Sequence, residues 1–254
     1  MMETQPSQPG AIALVGSGEY LPQMLDIDRF LLSTLASAAP RVALLPTASG
    51  LELGMPERWN TMGVDHFRAL GVAATPVHLV GAPDAADEPV LAALRGADMY
   101  YFSGGNPEYV IETLRGTPAW QIVHSAWRAG AVLAGCSAGA MMLGGYTLSV
   151  RSVMRGDAPR WLPALGVVPE LVLMPHFDRV ADFAGQAMFR AILASAPAGL
   201  TLVGVDEDTA LVRTGTPGSW RWQVLGRQSV SVFSTAGERA RYHAGDDVPL
   251  PFAG

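Results

Sequence analysis

Short apolar runs alternate along this chain with stretches in which hydrophobic residues recur every three or four positions. Ala11–Val15, Arg41–Leu45, Val77–Val80, Asp98–Ser103 and Ala131–Ala134 are brief and mostly stopped by glycine or proline, which predicts buried strands. Helical spacing falls between and after them, over Leu21–Ala38, Pro56–Leu70, Glu88–Leu94, Pro107–Leu114 and Ala119–Ala129. This alternation predicts an α/β three-layer sandwich with a mostly parallel central sheet. The last third changes character. Leu171–Met174, Leu200–Val205, Ala210–Arg213, Arg221–Leu225 and Ser229–Phe233 have strand character, interrupted by one helix over Asp182–Ala194. Glycine-rich turns between the later strands suit antiparallel additions to the sheet edge. No linker or repeat interrupts the pattern, so a flexible tail over 1–10 and a single α/β domain over 11–254 are expected.

Composition narrows the chemistry. With 49% hydrophobic and 16% charged residues in 254, the chain has the makings of a large core. The formal net charge is −6, and all 17 basic residues are arginine. Without lysine there is no Schiff base, no P-loop lysine and no pyridoxal phosphate site. The arginines are scattered singly, so no nucleic acid partner is expected. The one cysteine, Cys136, excludes an internal disulfide framework and multi-cysteine metal sites. The segment MMETQPSQPG has no basic leader region, and Ala11–Val15 is too short to span a bilayer. A cytoplasmic protein without a membrane partner is expected.

The most specific pattern is Gly135-Cys136-Ser137-Ala138-Gly139, which follows an apolar strand and opens a small, apolar helix. This is G-x-S-x-G in its strand–turn–helix context. A tight turn would expose the Ser137 hydroxyl, flanking small residues would let strand and helix pack closely, and the helix N-terminus would favour developing negative charge. The Ala138 N–H would face the reacting oxygen. The plainer alternative is a glycine-rich turn with Ser137 as N-cap. Gly104-Gly105-Asn106-Pro107 also ends a strand and opens a helix. Its backbone suits an oxyanion hole; the alternative is a plain turn with Asn106 as N-cap and Pro107 in the first helical position.

A nucleophilic serine needs a base. His66 and His124 fall within helices and His78 within a strand run, where packing or surface roles are the simpler reading. His176 follows Leu171–Met174 and Pro175, at the C-terminal end of a strand where α/β sheets gather their sites. An orienting acid comes from Asp206, Glu207 or Asp208, or from Asp178. Glu207 is preferred, although spacing alone does not separate the four.

Together these segments resemble the serine peptidase family of aspartyl dipeptidase (peptidase E) and cyanophycinase. The matching stretches are Arg41–Ser49, Phe102–Asn106, Ala134–Ala140, Pro175–Asp178 and Gly204–Ala210. The resemblance implies a class I glutamine amidotransferase-like, flavodoxin-like fold. It also implies Ser137 as nucleophile, His176 as base, Glu207 as acid, Gly105 and Ala138 as oxyanion donors, and a small peptide substrate, which Asn106 would help to bind. No metal or nucleotide cofactor is implied. Gly16-Ser17-Gly18-Glu19 lacks the third glycine of a dinucleotide loop and is expected beside the active site. Two features depart from the family. No Asp follows the serine block in Tyr146–Ser152, and Met174-Pro175 stand where cyanophycinase-like sequences carry Asp-Gln. The substrate side chain therefore stays open. Arg58, Arg151, Arg155 and Arg179 are candidates to clamp a carboxylate, or else plain surface residues. Cys136 stands one position before the nucleophile, so its side chain should point away and glutaminase chemistry is not expected. The chain is expected to act as a monomer or homodimer. One rival is an α/β-hydrolase esterase built from Ser137, Asp206 and His243; another is a non-catalytic binding module on the same fold.

Overall fold

The computed structural model describes residues 8–233 and 239–250, without the side chains at 181–184 and 186. Its strands are β1 (Ile12–Val15), β2 (Arg41–Leu45), β3 (Ala73–Pro76), β4 (Met99–Phe102), β5 (Val132–Cys136), β6 (Gly144–Leu148), β7 (Trp161–Pro163), β8 (Val168–Met174), β9 (Thr201–Val205), β10 (Thr209–Thr214), β11 (Arg221–Gly226), β12 (Ser229–Phe233) and β13 (Arg239–His243). Its α-helices are α1 (Leu25–Ser33), α2 (Met55–Ala69), α3 (Glu88–Leu94), α4 (Pro107–Leu114), α5 (Pro118–Arg128), α6 (Ala138–Met141), α7 (Val150–Met154) and α8 (Phe177–Ser195). Of the tail expected over 1–10, residues 1–7 lie outside the described residues. Gly10 is tied to α5, accepting from the Trp127 indole N–H at 3.0 Å.

Among the described residues the strands form two sheets, ordered β11-β10-β1-β5-β4-β2-β3 and β13-β12-β9-β8-β6-β7. In the first, β1, β5, β4, β2 and β3 are mutually parallel, as the alternating pattern predicts. β10 and β11 extend it antiparallel from the β1 edge, also as expected. The expectation of a single sheet is corrected. β9 and β12 do not join that edge; with β13 and β6–β8 they build a second, mixed sheet. Periodicity identifies a strand but not the sheet it joins. β6 and β7 have weak strand signatures: β6 opens on Gly144-Gly145 with a register shift against β8, and β7 ends on Pro163.

Two further elements differ from expectation. The third strand is Ala73–Pro76 rather than Val77–Val80. Its partner β2 ends at Leu45, ahead of Pro46, so residues beyond Val77 have no ladder to join, although Val77 and Leu79 are buried. Helix α1 stops at Ser33, short of Ala38.

Alternation along the first sheet divides the core. Ala13, Val15, Leu44, Tyr101 and Ala134 pack with Ile27 and Leu31 of α1 and Phe67 of α2. Ile12, Leu14, Leu45, Phe102 and Leu133 face the opposite way, into a larger cluster with α3–α5 and the apolar face of the second sheet. No helix among the described residues is long and apolar enough to cross a membrane.

The smaller core holds a buried polar pair. His66 Nε2 lies 2.8 Å from Asp28 Oδ2, with both side chains at 2% exposure or less. Burial pushes the Asp28 carboxyl up, partly offset by the His66 hydrogen bond. Removing one partner strands the other in an apolar setting. His66→Ala is expected to cost about 3–5 kcal/mol, measurable as a lowered urea midpoint.

Candidate active site

Ser137 is placed by a turn that only small residues permit. Its backbone adopts φ 51°, ψ −113°, a sparsely populated combination that costs a non-glycine residue roughly 1–3 kcal/mol. A Cβ on Gly135 would lie 2.2 Å from the Gly139 carbonyl oxygen, and one on Gly139 would lie 2.4 Å from that of Phe102. The glycines of the motif thus let β5 run straight into α6 against the end of β4. Ser137 stands at the N-cap position of α6, but its side chain makes no cap bond there.

The candidate base and acid come from the second sheet. His176 follows β8, with φ 49°, ψ 38°, immediately before α8. Its Nε2 lies 3.1 Å from Ser137 Oγ, and its Nδ1 lies 2.8 Å from Glu207 Oε1. With the Nδ1 proton donated to Glu207, Nε2 is left to accept from the serine hydroxyl. Glu207 rides the three-residue connection Asp206–Asp208, which carries the chain from β9 in one sheet to β10 in the other. Each rejected acid is already engaged there. Asp206 is buried and accepts from the Ser229 hydroxyl at 2.5 Å. Asp208 accepts from Gln23 at 3.1 Å. Asp178 accepts the Glu207 backbone N–H at 2.9 Å.

The second glycine turn reaches the same place. Gly105 has φ 147°, and a Cβ there would lie 2.3 Å from the Ala48 carbonyl. Among the described residues, neither the Gly105 N–H nor the Ala138 N–H has an acceptor. Asn106, expected to help bind substrate, also has a structural role. Its side chain caps α4, accepting the Tyr109 N–H at 3.0 Å.

Glu19 was not singled out by sequence reasoning, although its loop was placed beside the site. It is 5% exposed. One carboxylate oxygen accepts the Gly104 N–H at 2.7 Å, and the other accepts the Cys136 thiol at 2.9 Å. It thereby clamps the glycine turn to the residue before Ser137. Burial, then the Glu19 charge, push the Cys136 thiol well above its ordinary value, so it stays protonated and donates to Glu19. The available signal was positional: β1 neighbours β5, so the loops leaving their C-terminal ends must meet.

The remaining histidines are elsewhere. His66 pairs with Asp28, His78 is exposed, and His124 packs against Trp120 and Trp127 with burial lowering its pKa. His243, the base of the esterase alternative, is exposed on β13, its N–H donating to Asp246. A cleft of about 460 Å³ opens beside Ser137 and His176, lined also by Glu19, Glu52, Arg58 and Trp59. Of the four candidate arginines only Arg58 lines it; Arg179 lies 3.9 Å from Glu207 Oε2.

Comparison with known proteins points to a peptidase family. The chain belongs to Peptidase family S51, whose profile matches residues 12–219. It is 30% identical over 219 residues to the cyanophycinase of Synechococcus elongatus, covering 84% of this chain and 64% of that relative. It is also 30% identical over 131 residues to the uncharacterized peptidase YgaJ of Bacillus subtilis, covering 51% of this chain and 54% of that protein. This chain thus spans less than two thirds of the length of these curated relatives. A crystal structure of a peptidase from an acI-B1 Actinobacterium superposes with a TM-score of 0.86 at 30% identity, covering 97% of this chain and 99% of that one. A putative peptidase E from Listeria monocytogenes EGD-e gives 0.58 at 16% identity over 86% of this chain and 100% of that one, a likeness of fold alone.

Glu19→Ala would leave a buried N–H and a buried thiol without their acceptor. A loss of about 1–3 kcal/mol in unfolding free energy is expected, with a smaller loss for Glu19→Gln, which keeps one acceptor oxygen. Chemical denaturation of the two variants side by side checks this.

Proposed function

We propose that this chain hydrolyses a peptide or amide bond in a small peptide through an acyl-enzyme on Ser137. The hydrogen-bonded order Ser137–His176–Glu207, at 3.1 and 2.8 Å, carries the reading. His176 Nε2 takes the hydroxyl proton as Oγ attacks the carbonyl carbon. The resulting oxyanion is held by the Gly105 and Ala138 N–H groups, which have no acceptor of their own among the described residues. His176 then passes its proton to the leaving amine, and the C–N bond breaks. Water hydrolyses the acyl-serine by the same proton path in reverse. Glu207 fixes the imidazole tautomer and stabilises the imidazolium that forms.

Several finer readings belong with this proposal. The parallel sheet and the serine turn support kinship with class I glutamine amidotransferase-like, flavodoxin-like proteins. Residues 11–254 act as one catalytic domain, because the proposed triad draws on both sheets. A dipeptidase-like substrate suits the half-buried site, whose His176 and Glu207 side chains are 35% and 29% exposed. Aspartyl and isoaspartyl or β-linked dipeptides are further substrate classes to assay.

A fluorophosphonate probe should add its mass to Ser137 in the folded protein, and Ser137→Ala should lose on the order of 10⁴–10⁶ in kcat. Glu207→Gln should lose roughly 10⁴ with little change in KM. An unlabelled Ser137 beside a reacting serine-hydrolase control would favour the binding-module alternative.

A further inference from the structure

We propose that the substrate carries an aliphatic or aromatic side chain beside the scissile bond, seated in a pocket walled by Met141, Leu148, Val150, Val153, Leu173 and Val180. This rests on the reading of Ser137 as the nucleophile. The pocket is distinct from the charged cleft but shares Gly105, Ser137 and His176 with it. A peptide whose carbonyl lies at Ser137 Oγ must therefore pass between the two.

Its chemistry is one-sided. The walls come from α6, β6, α7, β8 and α8, and among the described residues every lining side chain beyond the Ser137 hydroxyl and the His176 imidazole is apolar. His176 is already committed on both ring nitrogens. A substrate carboxylate entering here would lose its hydration and meet no cation among the described lining residues, a cost that pushes acidic side chains elsewhere. A leucine or phenylalanine side chain would lose only apolar hydration, which favours entry. The volume, about 290 Å³, lies at the small end for ligand sites, which suits one side chain rather than a whole molecule. The cleft on the other side holds Glu52 and Arg58, opposite charges for the charged groups of a short peptide. Met174 and Pro175, at the end of β8, also line the apolar pocket.

The test uses the Ser137→Ala protein, so that binding is read without turnover. Two dipeptide series are titrated by calorimetry, each varying one position among Leu, Phe, Asp, Glu and Arg with Ala at the other. In one of the series Leu and Phe should bind at least tenfold more tightly than Asp, Glu and Arg. That series then identifies the side of the scissile bond that the pocket serves. Val153→Trp, which fills the pocket, should shrink the gap below threefold. Val180→Trp on the facing helix serves if the first variant does not fold, and melting curves establish which of them is folded. Equal binding across both series, tighter binding of acidic residues, or a gap that survives the filled pocket would overturn the proposal. Fluorophosphonate labelling of the unsubstituted protein runs beside it. Failure to label Ser137 removes the hydrolase reading, whereas a labelled Ser137 with no apolar gap removes only the pocket assignment.

Discussion

The bond from His176 Nδ1 to Glu207 Oε1 depends on how two sheets meet. Ser137 leaves the first sheet at β5, while His176 leaves the second at β8. Glu207 lies on the connection that passes from the second sheet to the first. A rotation of one sheet against the other would break the chain of bonds at Ser137 or at Glu207. The connection is accordingly pinned at each residue. The Asp206 carboxylate holds Ser229 on β12, the Glu207 N–H is held by Asp178, and the Asp208 N–H bonds the Ser17 carbonyl beyond β1 at 3.2 Å. Gln228 closes the arrangement by donating to the Glu207 carbonyl at 3.0 Å. These polar bonds convert the packing of the two sheets into a fixed distance between imidazole and carboxylate.

The same junction stores strain. Ser137 and His176 both have positive φ, and so do Tyr20 and Asp208 in the neighbouring loops. Non-glycine residues hold such conformations only when their surroundings over-determine them. Here the surroundings are visible. The Ser137 N–H continues the β1 ladder to the Val15 carbonyl at 3.0 Å, and Glu19 fixes the residue before it. The glycine turn at Gly104-Gly105 is held from two sides, by Glu19 and by the Asn106 N–H on the Ala48 carbonyl at 2.7 Å. Rigid backbone at three loop ends means that little reorganisation is needed when charge develops at the serine.

Much of this was legible in the sequence wherever local rules act alone. The parallel core strands announce themselves as apolar runs because both faces of the first sheet are covered. The serine turn is legible because its glycines are dictated by contacts within a few residues. His176 is legible from its place after an apolar run. What could not be read depends on partners distant along the chain. The second sheet was missed because β6 and β7 are short and interrupted by glycine and proline. The third strand was displaced because the end of its partner β2 decides where pairing stops. Glu207 could not be separated from Asp206, Asp208 and Asp178 by spacing, since the choice rests on which carboxylate the Ser229 hydroxyl and the Glu207 N–H have already taken. Glu19 escaped for the same reason: an acid in a glycine loop looks solvated until β1 is known to lie beside β5.

On the proposed function, chemistry and selectivity fall to different parts of this fold. The hydrogen-bonded groups stand on loops at the ends of buried strands, where a displaced atom disturbs the core. The pocket walls at Val150, Val153 and Val180 stand on α7 and α8, with part-exposed side chains. α7 spans only five residues, and α8 is broken by the non-helical Gly185 at φ 74°. Substitutions on such helices cost less folding free energy than substitutions inside the sheets, because less apolar area is lost. The architecture therefore allows the walls of the pocket to change while the distance between Ser137 and His176 is kept. Met174-Pro175, where β8 ends at the pocket and one residue before His176, stands at the border between the two parts.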